Sequence, residues 1–198
     1  MISIGVDSYL SELETVVADL PREAIVEVVD LLMDAWWRGA RVFIIGNGGS
    51  AATASHMAND LNKLTIMDGQ KRFCALALTD NVPLITAWAN DSAFSHVFVE
   101  QLKHFVQYDD IVIGISTSGN SPNVVCAMEH AKQIGATTVL FGGLTGGRCT
   151  ELADYMILTP SDHQGIQEDC HLIFNHVIAN TIKSELKTRY AEMAVAAD

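Results

Sequence analysis

Arg41-Val42-Phe43-Ile44-Ile45-Gly46-Asn47-Gly48-Gly49-Ser50-Ala51-Ala52 is the stretch that decides the architecture. A continuous apolar run breaks into a Gly/Asn/Ser turn, and the residues beyond it return at helical spacing. The pattern recurs where Ile111-Val112-Ile113-Gly114-Ile115 leads into Ser116-Thr117-Ser118-Gly119-Asn120-Ser121-Pro122. Strand, small-residue loop and helix N-terminus are therefore written twice. Such a loop presents backbone N–H groups and the positive end of a helix dipole to an anion, and its small residues let the ligand come close. Ser50 reads as the N-cap of the first helix, and Pro122 suits the first helical position behind Ser121 as N-cap of the second. Two such loops at strand C-termini, where open α/β sheets bind ligands, point to a phosphorylated small molecule.

Outward from these units the alternation continues. Strand candidates at 41–46, 73–78, 110–116, 137–142 and 154–158 are separated by helical segments at 50–64, 81–89, 93–107, 121–134 and 147–152. A long helix runs from Gln164 to about Tyr190, and helices at 7–19 and 22–38 precede the first strand. Apolar strands alternating with helices predict an α/β fold with a parallel sheet of about five strands, covered by helices on both faces. The expected organisation is one domain over 1–198: a helical N-terminal segment 1–40, an α/β core 41–160 and a C-terminal helix 163–190. Gly142-Gly143-Leu144-Thr145-Gly146-Gly147 reads as a loop, since strand pattern resumes soon after it. Ile25, Val26, Val28, Val29, Leu31, Leu32, Met33, Trp36 and Trp37 cover more than one face of the second helix. That surplus predicts N-terminal helices used in oligomerisation.

At 198 residues and 49% apolar composition the chain is long enough to bury a sizeable core. Its net charge of −12 argues against nucleic acid or an anionic membrane as partner. A phosphate remains compatible, because local N–H groups bind it inside an acidic protein. Cys74, Cys126, Cys149 and Cys170 form no C-x-x-C pair and read as buried reduced thiols of a cytoplasmic protein. Neither a signal peptide nor a membrane span is expected, since Glu27, Asp30 and Asp34 interrupt the most apolar stretch.

Three clusters could carry chemistry. His56 and Asp60 stand i, i+4 on the helix after the first loop and can meet one ligand or each other; an isolated pair of this kind is ordinarily solvated surface. The last helix carries Gln167-Glu168-Asp169-Cys170-His171 and Asn175-His176 among apolar neighbours, so either histidine could equally be a satisfied core residue. Asn90-Asp91-Ser92 could bind sugar hydroxyls or cap the helix starting near Ala93. Gly46-x-Gly48-x-x-Ala51 also fits a dinucleotide fingerprint with Asp80 as ribose ligand. That reading ranks lower because it gives the serine loop no role, and no nucleotide cofactor is expected.

Gly46-Asn47-Gly48-Gly49-Ser50, Asn90-Asp91, Ser116-Thr117-Ser118-Gly119-Asn120-Ser121 and the Glu/Gln/His-bearing last helix resemble the sugar isomerase (SIS) domain over nearly the whole chain. Within that group the chain is most similar to the phosphoheptose isomerases, which interconvert sedoheptulose 7-phosphate and a heptose 7-phosphate. The resemblance implies that Ser116, Thr117, Ser118 and Ser121 grip the substrate phosphate, that Asn47 and Ser50 contribute from the first loop, and that Asp91 meets sugar hydroxyls. It implies Asp60 as catalytic base, where the family carries Glu, and a catalytic histidine on the last helix. Taking Gln167-Glu168 literally leaves Asn175 in the histidine's place; sliding by one recovers His171 and His176 and sets Glu168 where the family has Gln. We adopt the second register, with His176 as acid/base and Glu168 in the substrate site. The resemblance further implies a homotetramer and, in some relatives, a divalent metal, here zinc held by His56, Asp60, Glu168 and His176. The alternative is direct proton exchange by the same residues. A second implied function is that of a non-catalytic phosphosugar-binding regulator, a partner of the replication initiator, and the two substitutions favour it.

Overall fold

The computed structural model describes residues 2–195, with side chains through Arg189. Five strands, β1 (Arg41–Gly46), β2 (Cys74–Ala77), β3 (Ile111–Ser116), β4 (Thr137–Gly142) and β5 (Tyr155–Leu158), stand in the order β2-β1-β3-β4-β5, all parallel. Seven α-helices accompany them: α1 (Ile2–Ala18), α2 (Arg22–Arg38), α3 (Gly49–Asn59), α4 (Val82–Asp91), α5 (Val99–Phe105), α6 (Pro122–Ile134) and α7 (Gln164–Val195).

The period-two alternation of β1 divides the core. Val42 and Ile44 join Leu32 of α2, Met57 of α3 and Phe174 of α7 on one face of the sheet. Phe43 and Ile45 join Leu102 of α5 and Met128 of α6 on the other. Each such side chain, fully buried, contributes about 1.5–3 kcal/mol. Strand order reverses between β1 and β3, where Ile45 pairs with Gly114 and Gly46 with Ile115. Both strands therefore end level, and the two anion-type loops leave the sheet side by side. Asp110 fixes the opposite end: its carboxylate accepts the Arg41 N–H at 2.9 Å and the Gln107 N–H at 2.8 Å, and pairs with Arg41 Nη2 at 2.7 Å.

The α/β class, parallel sheet and two-sided helical cover match the sequence reading, and several local details differ. α1 begins at Ile2 rather than residue 7. Ile2, Ile4 and Val6 are 89%, 67% and 54% exposed, so no buried stripe announces the helix there. The expected helix 93–107 is a 3-10 turn, Phe94–His96, followed by α5, because Ala93 is extended and Ser92 Oγ is bonded to His96 Nδ1 at 2.7 Å. Of the two readings of Asn90-Asp91-Ser92, the cap is thus not formed: the N-cap is Ala93, without a side-chain bond. Residues Gly147–Glu151 make a 3-10 turn. Helix 50–64 is α-helical only to Asn59 and widens into a π turn over Asp60–Leu64. Its N-cap is Gly48, not Ser50, which is the buried second helical residue. Ser121 is the N-cap of α6 with Pro122 behind it, as expected. The four cysteines are free, but Cys74 is exposed on the edge strand; Cys149 and Cys170 are buried, and burial pushes each thiol up to about 11. α1 docks on the start of α7, where Tyr9 Oη donates to Asp169 Oδ2 at 2.6 Å, a bond that pushes the phenol up to about 12. Among the described residues no helix is long and apolar enough to cross a membrane.

Candidate active site

The two loops and the first turns of α7 enclose a pocket of about 310 Å³. Asn47 and Ser50 line it from the first loop, Ser116, Thr117, Ser118 and Ser121 from the second, and Gln164 and Glu168 from α7. The serine loop is internally ordered: the Gly119 N–H donates to Ser116 Oγ at 3.1 Å and the Asn120 N–H to Ser118 Oγ at 3.2 Å. Ser121 caps α6 without a side-chain capping bond. The N-termini of α3 and α6 thus converge on a hollow with four hydroxyl side chains in one loop, the donor set that a phosphate dianion requires. Asn47 is bonded to Asn123 in both directions, at 2.9 and 2.8 Å, and this amide pair locks the two loops together. Asn123 was not foreseen; its position just inside α6 was the only signal.

On the α7 wall, Glu168 accepts a bond from Gln164 Nε2 at 3.3 Å, and its carboxylate lies against Gly49 where a Cβ would otherwise stand. Gln167 turns away and donates to the Ser161 carbonyl at 2.7 Å. Glu168 thus lines the pocket and Gln167 does not. His171 is fully buried, with Nε2 3.1 Å from the Gly142 carbonyl and Nδ1 without a partner. Burial pushes its pKa below the usual imidazole value. The ring is therefore neutral, with its proton on Nε2 donated to Gly142.

Farther along the α3–α7 pair lies the second cluster. Asp60 is 8% exposed at the start of the π turn, a departure from α-helix that recurs at functional sites. His56 Nε2 stands 3.5 Å from Asp60 Oδ2 and 3.3 Å from His176 Nε2. One ligand atom from each of His56, Asp60 and His176 lies within 4.8 Å of the others. Asn59 Nδ2 donates to Asp60 Oδ1 at 3.2 Å, and the fully buried Asn175 Nδ2 donates to Oδ2 at 3.0 Å. Asn175, which the chosen register leaves aside, is thus the side chain that aims the carboxylate. Two imidazoles and a carboxylate at these distances form a donor set suited to zinc.

Glu168 lies outside this group: eight residues of helix, a rise of roughly 12 Å, separate it from His176. The structure brings together three of the four expected metal ligands and leaves Glu168 in the serine pocket. Asp60 does not line that pocket; it borders a separate hollow with Asn59, Lys63 and Lys183. Asp91 is exposed at the end of α4, accepting from Asn90 Nδ2 at 2.7 Å, and lines neither space. Asp80, the alternative ribose ligand, is bonded to Ser55 in a wider cleft along β2.

A model of the SIS domain matches residues 7–143. The phosphoheptose isomerase of Clostridium acetobutylicum is 35% identical over 164 residues, covering 83% of each chain. That of Sulfurimonas denitrificans is 40% identical over 162 residues, 81% of this chain and 83% of the relative. The structure of phosphoheptose isomerase from Neisseria gonorrhoeae superposes with a TM-score of 0.87 at 26% identity, covering 93% of this chain and all of the other. The chain belongs to the SIS domain family, among the phosphoheptose isomerases.

The buried neutral His171 makes stability depend on pH. Its folded pKa lies below the unfolded value of 6.5, so below about pH 6.5 the unfolded chain binds a proton that the native state does not. The unfolding free energy should therefore fall as pH drops below 6.5, by at most about 1.4 kcal/mol per pH unit for this group. Denaturant titrations of His171→Gln, which keeps a donor for Gly142, should show a shallower decline; an unchanged slope would mean that His171 is protonated in the native state.

Proposed function

We propose that the protein is an aldose–ketose isomerase that interconverts sedoheptulose 7-phosphate and a heptose 7-phosphate. One observation carries the reading: a hydroxyl-rich anion pocket and a carboxylate–imidazole cluster lie along the same α3–α7 pair in a chain of this family. Such a sugar has its phosphate at one end and its carbonyl at the other, which suits two separated subsites. Ser116, Thr117, Ser118 and Ser121 hold the phosphate, with Asn47 and Ser50 on the facing loop. Glu168, acceptor-only when ionised, receives sugar hydroxyls beside it.

Asp60 acts as general base. It takes the proton from the carbon next to the carbonyl and returns it to the neighbouring carbon of the resulting enediol. His176 passes the accompanying proton between the two oxygens, a task imidazole suits near neutral pH. The Asn175 and Asn59 amides hold the carboxylate in place while it works. His56, Asp60 and His176 also form the set that would hold a divalent ion, zinc by donor type; such an ion would polarise the sugar oxygens, and Asp60 would serve as base only on releasing it. Asp91 remains a candidate for sugar hydroxyls only if a neighbouring subunit closes the site around it.

A homotetramer is part of the proposal. Val26 and Trp37 of α2 are 57% and 41% exposed, α4 buries none of its residues, and α1 leaves Leu10 57% exposed. These surfaces need covering. Four free cysteines suit a reducing, cytoplasmic setting.

Three measurements follow. Incubation with sedoheptulose 7-phosphate and sugar analysis should show conversion, reduced about 100-fold or more in Asp60→Asn with sugar binding retained; near-normal turnover in that variant removes Asp60 from the mechanism. Tag-free protein should contain about one metal per chain, lose activity on chelation and regain it with zinc; full activity at negligible metal content rejects the metal. Sedimentation at micromolar concentration should give a tetramer, and a stable monomer contradicts the assembly.

A further inference from the structure

The glycine loop 142–147 has no role in the reading so far, yet it is built against the back of the serine loop. The Gly143 N–H donates to the Thr117 carbonyl at 3.1 Å, and the Cys149 N–H to the Gly119 carbonyl at 2.9 Å. Gly119 has φ +61°, and a Cβ on it would overlap the Gly146 carbonyl; one on Gly143 would overlap the Thr117 carbonyl. The two backbones touch at a distance that only glycine permits.

Asn120 ties the layers together. Its Nδ2 donates to the Ser118 carbonyl at 2.9 Å, and its Oδ1 accepts the Arg148 N–H at 3.0 Å. Its own N–H is the one that donates to Ser118 Oγ at 3.2 Å. Asn120 does not line the pocket. One side chain thus fixes Ser118 on one side and the start of the 147–151 turn on the other.

We propose that Asn120 and the 142–148 loop form a brace that holds Ser118 and its neighbours in their anion-binding shape, which makes Asn120 a positioning residue for the phosphate. A loop ordered in advance binds a dianion without the entropic cost of fixing its backbone at that moment. Removing the Asn120 amide leaves every phosphate-facing donor present and loosens the frame that aims them. The proposal rests on the serine loop being the phosphate site.

The test uses the full-length protein, with inorganic phosphate as binding probe and sedoheptulose 7-phosphate for kinetics. Asn120→Ala should weaken phosphate binding and raise KM together by about tenfold, the size of a lost hydrogen bond. Its kcat should stay within about twofold and its Tm within about 2 °C, since the residue is exposed. Amide exchange in 116–121 should accelerate while the core strands stay protected. Ser118→Ala with Ser121→Ala serves as reference and should also lose phosphate affinity. If that reference variant weakens binding while Asn120→Ala matches the wild type, the brace is wrong and the phosphate site stands. If the reference variant binds phosphate undiminished, the site reading fails and the proposal with it. A parallel fall in kcat and Tm in Asn120→Ala marks a general structural role and overturns the proposal.

Discussion

The pairing of β1 with β3 sets what the rest of the molecule can do. With Ile45 opposite Gly114 and Gly46 opposite Ile115, the chain leaves both strands at one level and turns into helices on opposite faces of the sheet. The serine loop and the Asn/Gly loop then face each other across the switch point, and the N-termini of α3 and α6 aim at one volume. A slip of one residue would send Val42 and Ile44 to the wrong core and separate the loops. Asp110 guards that register from the far end, because its carboxylate holds the first amide of β1 directly before β3 begins.

From this arrangement it follows how a chain of net charge −12 can hold a dianion. In the proposed site the attraction would be local, from aligned N–H groups and hydroxyls rather than from basic side chains. Glu168 lines the same pocket from the α7 wall, where it leans on Gly49 with Gln164 as its donor. Hydroxyl donors thus stand at the serine loop and a carboxylate on the α7 wall of one pocket.

How much of this was legible in the sequence depends on whether the signal was local. The strands, the two loops and Ser121-Pro122 as a cap were readable because each is written in adjacent residues. The first turns of α1 were not, since a helix that buries almost nothing shows no stripe. The π turn at Asp60 has no sequence mark, and it sets how the carboxylate meets Asn175, 115 residues away in sequence. Asn123 was missed, and Asn175 was named without its partner, for the same reason: each matters through a residue distant in the chain, Asn47 and Asp60. Which of Gln167 and Glu168 faces the pocket depends on the phase of α7 against the loops, which adjacent residues do not encode.

The most direct test is diffraction from crystals grown with sedoheptulose 7-phosphate. The account predicts phosphate density against Ser116–Ser121 at the α6 N-terminus, with the carbonyl end of the sugar directed along α3 and α7 toward Asp60 and His176. Phosphate bound instead in the cleft along β2, beside Ser55 and Asp80, or a sugar whose carbonyl end points away from Asp60, would contradict it.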